Sequence, residues 1–401
     1  MSKINDLIKE LCPNGVSKYI IQDICHVTRG RVISKMELQE NEGDYPVYSS
    51  QTLNNGVFGK INTYDFEGEY VQWTTDGANA GSIFYRNGKF SVTNVCGLLK
   101  VKAEYLDKIR TDYLAYALTM ESKKYVNYAT SNPKLMSNVM EKITVLIPPL
   151  EVQEEIVRIL DKFGELEAEL EAELEARKSQ YEFWREKLFD IKGETKTYKL
   201  EDVLKSLKTG LNPRKFFRLN TEDADGYYVT VREIGDRNVR YWESKDRVNK
   251  EGLLRINERA NLEIGDVLFC GTGTIGRVSL IEENPDNWNV KEGVYILKPK
   301  KEIINPVYLM HLMRSDYMKK LYSDYIVGSP VSSVPMRDLK NVEFELPNLE
   351  TQERISNILD KFDALVNDIT VGLPAEIELR RKQYEYYRNK LLSFEELSVS
   401  E

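Results

Sequence analysis

PPLEVQEEIVRILDKFGELEAELEAELEARKSQYEFWREKL, from Pro148 to Leu188, decides the architecture of this 401-residue chain, because it returns as PNLETQERISNILDKFDALVNDITVGLPAEIELRRKQYEYYRNKL from Pro347 to Leu391. Leu150, Glu151, Gln153, Glu154, Ile156, Ile159, Leu160, Asp161, Lys162 and Phe163 recur 199 residues later as Leu349, Glu350, Gln352, Glu353, Ile355, Ile358, Leu359, Asp360, Lys361 and Phe362. Self-similarity at a fixed offset sets the plan of a chain before any local element is assigned. In the first copy Ile159, Phe163, Leu166, Leu170, Leu174, Tyr181, Trp184 and Leu188 follow one another at helical spacing, a stripe of coiled-coil type. Tandem ELEA units from Glu165 to Ala176 add a stutter, each worth about 6 Å of helix at 1.5 Å per residue. The second copy keeps the stripe at Phe362, Leu365, Ile369, Leu373, Ile377, Tyr384, Tyr387 and Leu391, with Gly372-Leu373-Pro374 set inside it. Two such stripes in one chain are expected to bury each other.

Outward from these helices lie two segments with a shared order of elements. The expected division is a first domain over 1–146, a helix over 147–192, a second domain over 193–346 and a second helix over 347–401. In each domain a short strand or helix leads to a glycine turn, then come short strands, a helix, a Ser/Pro loop and a final strand. Pro148-Pro149 ends that strand and opens the long helix, a position where proline is tolerated. The fold class expected is α+β: two mixed α/β domains joined by two long antiparallel coiled-coil helices, with an internal pseudo-two-fold repeat.

Composition narrows the chemistry. The net charge is -8, but the excess acid sits in the repeated helices, and the two domains between them are near neutral and rich in Lys and Arg. That distribution fits DNA held by the domains and proteins held by the helices. Only two histidines, His26 and His311, are present, so histidine catalysis or a multi-histidine metal site has almost no raw material. Cys12, Cys25, Cys96 and Cys270 are scattered without a paired C-x-x-C, which speaks against disulfides and a zinc site. No apolar run reaches the length of a membrane span, and the start MSKINDLIKELCPNGV lacks the order of a signal peptide, so the cytoplasm is the expected location.

The pattern resembles the specificity subunit of type I restriction-modification enzymes. The resemblance is carried by P-P/N-L-E-x-Q-E-x-I-x-x-I-L-D-K-F at Pro148 to Phe163 and Pro347 to Phe362, and by R-K-x-Q-Y-E-x-[WY]-R-x-K-L at Arg177 to Leu188, with a counterpart at Arg380 to Leu391. The ELEA units look like that family's spacer repeats, and the segments Thr74 to Gly97 and Gly265 to Ile281 look like its target-recognition domains. The resemblance implies a non-catalytic reader of double-stranded DNA: each target-recognition domain takes one half of a bipartite, asymmetric site, and the helices act as a ruler. It also implies two methyltransferase subunits that methylate adenine N6. Two restriction subunits are the further partners the family brings when the nuclease assembles. No cofactor is expected in this chain; S-adenosylmethionine, ATP and Mg are expected in the partner subunits.

Candidate DNA contacts cluster near glycine turns at equivalent places in the two domains. They are Arg29, Arg31, Thr74, Thr75, Asp76, Asn79, Arg86, Lys89 and Asn94 in the first, and Arg214, Lys215, Arg218, Arg232, Thr272, Thr274 and Arg277 in the second. Arg pairs bidentately with guanine, Asn with adenine, and Asp accepts from cytosine, whereas Lys and Thr more often hold phosphate. Phe183, Trp184, Tyr386 and Tyr387, near the helix ends, are candidate anchors for partner subunits, set against a plain role in the helix seam. Two other readings compete. Gly271-x-Gly273-x-x-Gly276 imitates a cofactor loop, which would make the chain a stand-alone methyltransferase, but such a loop must open a helix, and RVSLIEENPDNWNV starts as a strand. A glycine turn offering backbone N–H groups to DNA phosphate is the preferred reading there. The other competitor is a coiled-coil adaptor that touches no DNA. Carboxylate-lysine spacings at Asp236 with Glu243 and Lys245, and at Glu121 with Lys123, read as surface charge.

Overall fold

The computed structural model describes residues 2–129, 131–191, 193–213, 216–235, 237–328, 330–368 and 371–397. The first domain is built on a four-stranded antiparallel sheet of β1 (Cys25–Arg29), β2 (Tyr70–Thr74), β3 (Ile83–Arg86) and β4 (Cys96–Val101), in the order β1-β4-β2-β3. Helix α1 (Thr111–Glu121) buries Tyr113, Leu114 and Leu118 in the same core. The long helix α2 (Leu150–Phe189) follows. The second domain repeats the sheet as β5 (Leu204–Thr209), β6 (Val267–Cys270), β7 (Val278–Leu280) and β8 (Val294–Pro299), in the order β5-β8-β6-β7. Its helix α3 (Pro306–Arg314) starts where Asn305 accepts from the N–H groups of Val307 and Tyr308, with proline in the first turn. Each domain also pairs its first strand antiparallel with its last, Ser17–Ile20 with Thr144–Ile147 and Thr195–Lys199 with Glu343–Pro347.

The two sheets solve one packing problem from opposite strands. Trp73 faces Gly97, whose added Cβ would lie 2.1 Å from the indole, and Trp73 Nε1 donates to the Leu135 carbonyl at 3.0 Å. In the second domain the large ring is Tyr295, the glycine is Gly271 with the same 2.1 Å clearance, and the Tyr295 hydroxyl donates to the Val334 carbonyl at 2.7 Å. Either way a buried aromatic spends its polar tip on the segment that follows the helix.

The second copy of the long helix differs from the continuous element expected. It is two helices, α4 (Leu349–Asn367) and α5 (Leu373–Leu391). At Gly372 an added Cβ would lie 2.5 Å from the Ala364 carbonyl oxygen and 2.6 Å from that of Asp368, so only glycine fits the break. Pro374 sits in the first turn of α5, where its missing N–H has no helical partner to lose. Ile369 of the expected stripe lies outside the described residues.

The chain divides into two compact units, Met1–Glu169 with Leu379–Glu401, and Leu170–Glu378. Each holds one domain and parts of both helical repeats, so the contact units cut through the helices rather than at their ends. In the first unit the α2 and α5 segments run antiparallel: Phe163 lies 6.3 Å from Tyr384 and stacks on Tyr387 at 5.5 Å, while Glu167, further along α2, accepts from Arg381, further back along α5, at 2.6 Å. In the second unit Phe362 stacks on Tyr181 with centroids 6.2 Å apart. Phe362 and Tyr181 are the repeat counterparts of Phe163 and Tyr384, so the same aromatic pair closes both seams.

The repeated glutamine has a matching explanation. Gln153 is fully buried, accepts from the Arg110 N–H at 2.9 Å and donates to the carbonyls of Lys108 and Pro148, each at 2.7 Å. Gln352 accepts from the Asn305 N–H at 2.8 Å and donates to the carbonyls of Ile303 at 3.0 Å and Pro347 at 2.8 Å. One amide thus ties each long helix to the turn that opens the domain helix, satisfying backbone groups that would otherwise be buried unpaired.

Candidate nucleic-acid interface

In the first domain the turn after β2 gathers several of the predicted contacts. Arg29, at the end of β1, donates to Thr75 Oγ1 at 3.1 Å and to the Asn94 carbonyl at 2.6 Å, and its guanidinium lies 3.9 Å from the Asp76 carboxylate. Thr75 Oγ1 in turn donates to Asp76 Oδ2 at 2.6 Å. Asn79 donates to the Ser50 carbonyl at 3.0 Å, and the Asn94 side chain is exposed. Arg29, Asp76, Asn79 and Asn94 therefore share one edge of the sheet. A guanidinium, a carboxylate and two amides there can supply donors and acceptors to base edges.

The Ser/Pro loop that follows α1 also joins this edge. Lys134 Nζ lies 3.6 Å from the Asp76 carboxylate, the Gly77 N–H donates to the Pro133 carbonyl at 3.0 Å, and Tyr128 in the same loop is 63% exposed. The second domain repeats the juncture, with Thr272 bridging Ser333 as Asp76 bridges Lys134. The signal was present in the matching order of YATSNPKLM and YIVGSPVSSVPM, two loops that would not be kept in step by a mere connection.

In the second domain Thr274 and Arg277 are exposed, and Thr272 is half-buried on the turn between β6 and β7. Arg277 donates to the Val231 carbonyl at 3.0 Å, which brings it beside the exposed Arg232. Arg218 is exposed on the loop that follows β5, and Arg214 and Lys215 lie outside the described residues.

Three predicted contacts, Arg86, Thr74 and Thr75, are corrected by burial. Arg86 is 2% exposed: its Nε donates to Gln72 at 2.7 Å, its Nη2 to the Asn55 carbonyl at 2.9 Å, and its guanidinium lies 3.6 Å over the Tyr48 ring. Burial pushes its pKa down to about 10, which still leaves it charged at neutral pH. Thr74 and Thr75 are fully buried, Thr74 with no hydroxyl partner among the described residues. Arg31 is exposed but held by Glu37 at 2.6 Å and Asp65 at 3.1 Å, two carboxylates that raise its pKa and would have to be displaced by any phosphate. Lys89 remains exposed, 3.9 Å from Glu67 and over the Tyr64 ring.

The glycine turn of the second domain also differs from its expected role. The N–H groups of Gly271, Gly273 and Gly276 donate to the carbonyls of Gly293, Ser332 and Cys270 at 3.0, 2.8 and 3.1 Å, so none is free to hold phosphate. The G-x-G-x-x-G runs into strand β7 rather than a helix, which removes the basis of a cofactor loop.

Of the predicted partner anchors, Phe183 is 59% and Tyr386 61% exposed, and Trp184 stands edge-on to Phe183 with centroids 5.6 Å apart. Tyr387 is instead spent on the seam against Phe163.

This geometry, two copies of one framework whose turn faces differ, can be compared with known proteins. The family model described as type I restriction modification DNA specificity domain matches residues 13–176 and again 192–379. This chain belongs to that family. Over 383 residues it is 34% identical to a Mycoplasma pneumoniae protein named as a type I specificity subunit, a match covering 94% of this chain and 98% of the relative. Two solved structures, each 14% identical, share its fold. One is the S subunit of a type I restriction-modification system from M. genitalium, at TM-score 0.56 over 94% of this chain and 96% of that one. The other, from work on complex assembly and conformational transition of a type I restriction-modification system, aligns at TM-score 0.59 over 95% and 98%. The chain is thus a type I specificity subunit, a DNA sequence reader built from two specificity domains, and the α+β repeat expected from the sequence is its fold. Among the described residues no group of His, Cys, Asp or Glu could hold a metal ion, and no helix is long and apolar enough to cross a membrane.

Proposed function

We propose that the two domains of this specificity subunit read the two halves of a bipartite, asymmetric site in double-stranded DNA, in the cytoplasm. Methyltransferase subunits docked on it carry out adenine-N6 methylation, and restriction subunits join for cleavage. In the first domain Arg29, Asp76, Asn79, Asn94 and Lys134 supply the contacts; in the second, Arg218, Arg232, Thr272, Thr274 and Arg277 do so. Arginine and asparagine read base edges, while lysine and threonine hold phosphate. The partners bring S-adenosylmethionine, ATP and Mg; the role of this chain is recognition and spacing.

One observation carries the reading. The framework positions repeat and the turn-face positions do not: Thr209 stands where the first domain has Arg29, Thr272 where it has Asp76, and Ser333 where it has Lys134. Equal frames with unequal faces suit an asymmetric target.

The test is single-molecule sequencing of N6-methyladenine in a host carrying this chain and its methyltransferase. A gapped motif is expected, lost when the chain is removed. Arg277→Ala should relax one half of the motif only, with discrimination at the affected base falling by about 1–3 kcal/mol. Insertion of one ELEA unit should change the preferred gap by about 6 Å, under two base pairs. Methylation that ignores both changes would overturn the reading.

A further inference from the structure

The second domain carries a cavity of about 150 Å³ that no DNA contact uses. Tyr241, Trp242 and Trp288 form part of its wall, beside Val239, Leu280 and Ile281. Tyr241 stacks on Trp288 with an interplanar angle of 6° and centroids 5.4 Å apart, and Trp242 stands edge-on to Tyr241 at 81° and 5.2 Å. Trp242 is 54% exposed although it lines the cavity, and the other rim is Glu282 and Glu283. Glu282 is fixed in place by Arg237, whose nitrogens reach it at 2.7 to 3.1 Å. Glu283 is exposed and has no ion-pair partner among the described residues.

The first domain fills the corresponding place. There Phe90, on the strand that occupies the position of Trp288, is sealed by Tyr48, Phe66 and Tyr70, with ring centroids 5.6 to 5.9 Å away. The open version in the second domain is therefore a local feature, not a consequence of the shared frame.

We propose that this cavity receives an arginine side chain of the methyltransferase subunit, a contact that rests on the partner reading given above. Aromatic faces attract a cation through their quadrupole, and a guanidinium stacks on them as an ammonium cannot. Glu282 is already paired with Arg237, so it is the exposed Glu283 that adds charge complementarity to a guanidinium and disfavours DNA phosphate at this rim. The cavity takes one side chain rather than a helix. Exposed tryptophan beside a pocket is also the residue type that dominates protein interfaces.

Two measurements on the full chain test this. The chain is labelled with 5-fluorotryptophan and titrated with N-acetylarginine methylamide, watched by fluorine NMR. Saturable shifts of Trp242 and Trp288 are expected, with Trp73 and Trp184 unmoved and binding weakened in Glu283→Gln. No shift, or an equal response to the uncharged citrulline analogue, overturns the site. The second measurement is the affinity of the chain for its methyltransferase subunit. Trp242→Ala, a change at an exposed position, should weaken it about tenfold while the methylated motif stays the same. A wild-type complex that Trp242→Ala leaves intact overturns this contact alone; a wild-type chain that binds no methyltransferase overturns the partner reading beneath it.

Discussion

The sheets of the two domains share strand order, yet two core positions that are polar in the first are apolar in the second. Gln72 and Arg86 sit on adjacent strands of the first domain; Leu268 and Ile281 hold the matching places in the second. The difference teaches that a buried charge here is neither a DNA contact nor a requirement of the fold. It is tolerated because Gln72 and Asn55 accept from all three guanidinium nitrogens and the Tyr48 ring stacks on the group. A satisfied buried polar group adds little net stability, but removing one partner is costly.

The largest expected effect follows from that asymmetry. Arg86→Ala should destabilise the first unit by about 3 kcal/mol, because it leaves the buried Gln72 Oε1 without its donor and opens a void beside Tyr48. Installing the apolar pair of the second domain, Gln72→Leu with Arg86→Ile, should recover most of the loss. Urea unfolding of the three chains measures both; an Arg86→Ala chain of full stability that has lost its target motif would restore Arg86 as a base contact.

A smaller effect separates the anchors of the two long helices. Asp161 accepts from the Tyr116 hydroxyl at 2.6 Å, and its repeat counterpart Asp360 accepts from His311 Nε2 at 2.7 Å and also binds Arg237. His311 is fully buried, with Arg314 and Asp363 as its other charged neighbours. Burial lowers its pKa, with the Asp360 hydrogen bond opposing, and Asp360 itself is lowered by His311 and Arg237 against its own burial. The unfolded chain therefore takes up a proton at His311 first. The stability of the second unit should be full above the ordinary histidine value of about 6.5 and fall as the pH drops below it, with protonation of Asp360 adding to the loss at lower pH. In the first unit burial and Asp161 raise the Tyr116 pKa, so that anchor weakens only as the pH rises past the ordinary tyrosine value of about 10. Hydrogen exchange between pH 7.5 and 5.5, resolved by unit, should show acid loosening in the second unit alone, and His311→Gln should flatten it. Equal loosening of both units would erase the distinction.

The smallest effect lies on the seam. Glu167 and Arg381 pair at 2.6 Å on a partly exposed surface, so Arg381→Ala should cost about 0.5 kcal/mol, whereas Phe163→Ala, which removes both aromatic contacts, should cost several times more. Melting curves that rank the two the other way would mean that the seam is held by charge.

Much of this molecule was legible in its residues. The repeat of LExQExIxxILDKF announced two equivalent helices because the same contacts recur: a glutamine satisfying three backbone groups, an aspartate holding the domain helix, a phenylalanine against a tyrosine. The glycine turns marked the edge where Arg29 and Asp76 meet. Arg86 misled because an arginine one strand away from that edge looks no different in sequence from one upon it, and the strand's alternation turned it inward onto Gln72. Lys134 was missed because its partner Asp76 is far away in sequence, and only the bridge between the two loops brings them together.

What the sequence by itself determined was what periodicity and local chemistry encode: the helical stripe, the duplication, the family and the proline and glycine at the break in the second helix. What only the tertiary structure decided was which polar groups face water. Burial and partner choice depend on contacts between residues distant along the chain, and so the spent N–H groups of Gly271, Gly273 and Gly276, the inward Arg86 and the open cavity beside Trp242 emerge only once the strands have paired.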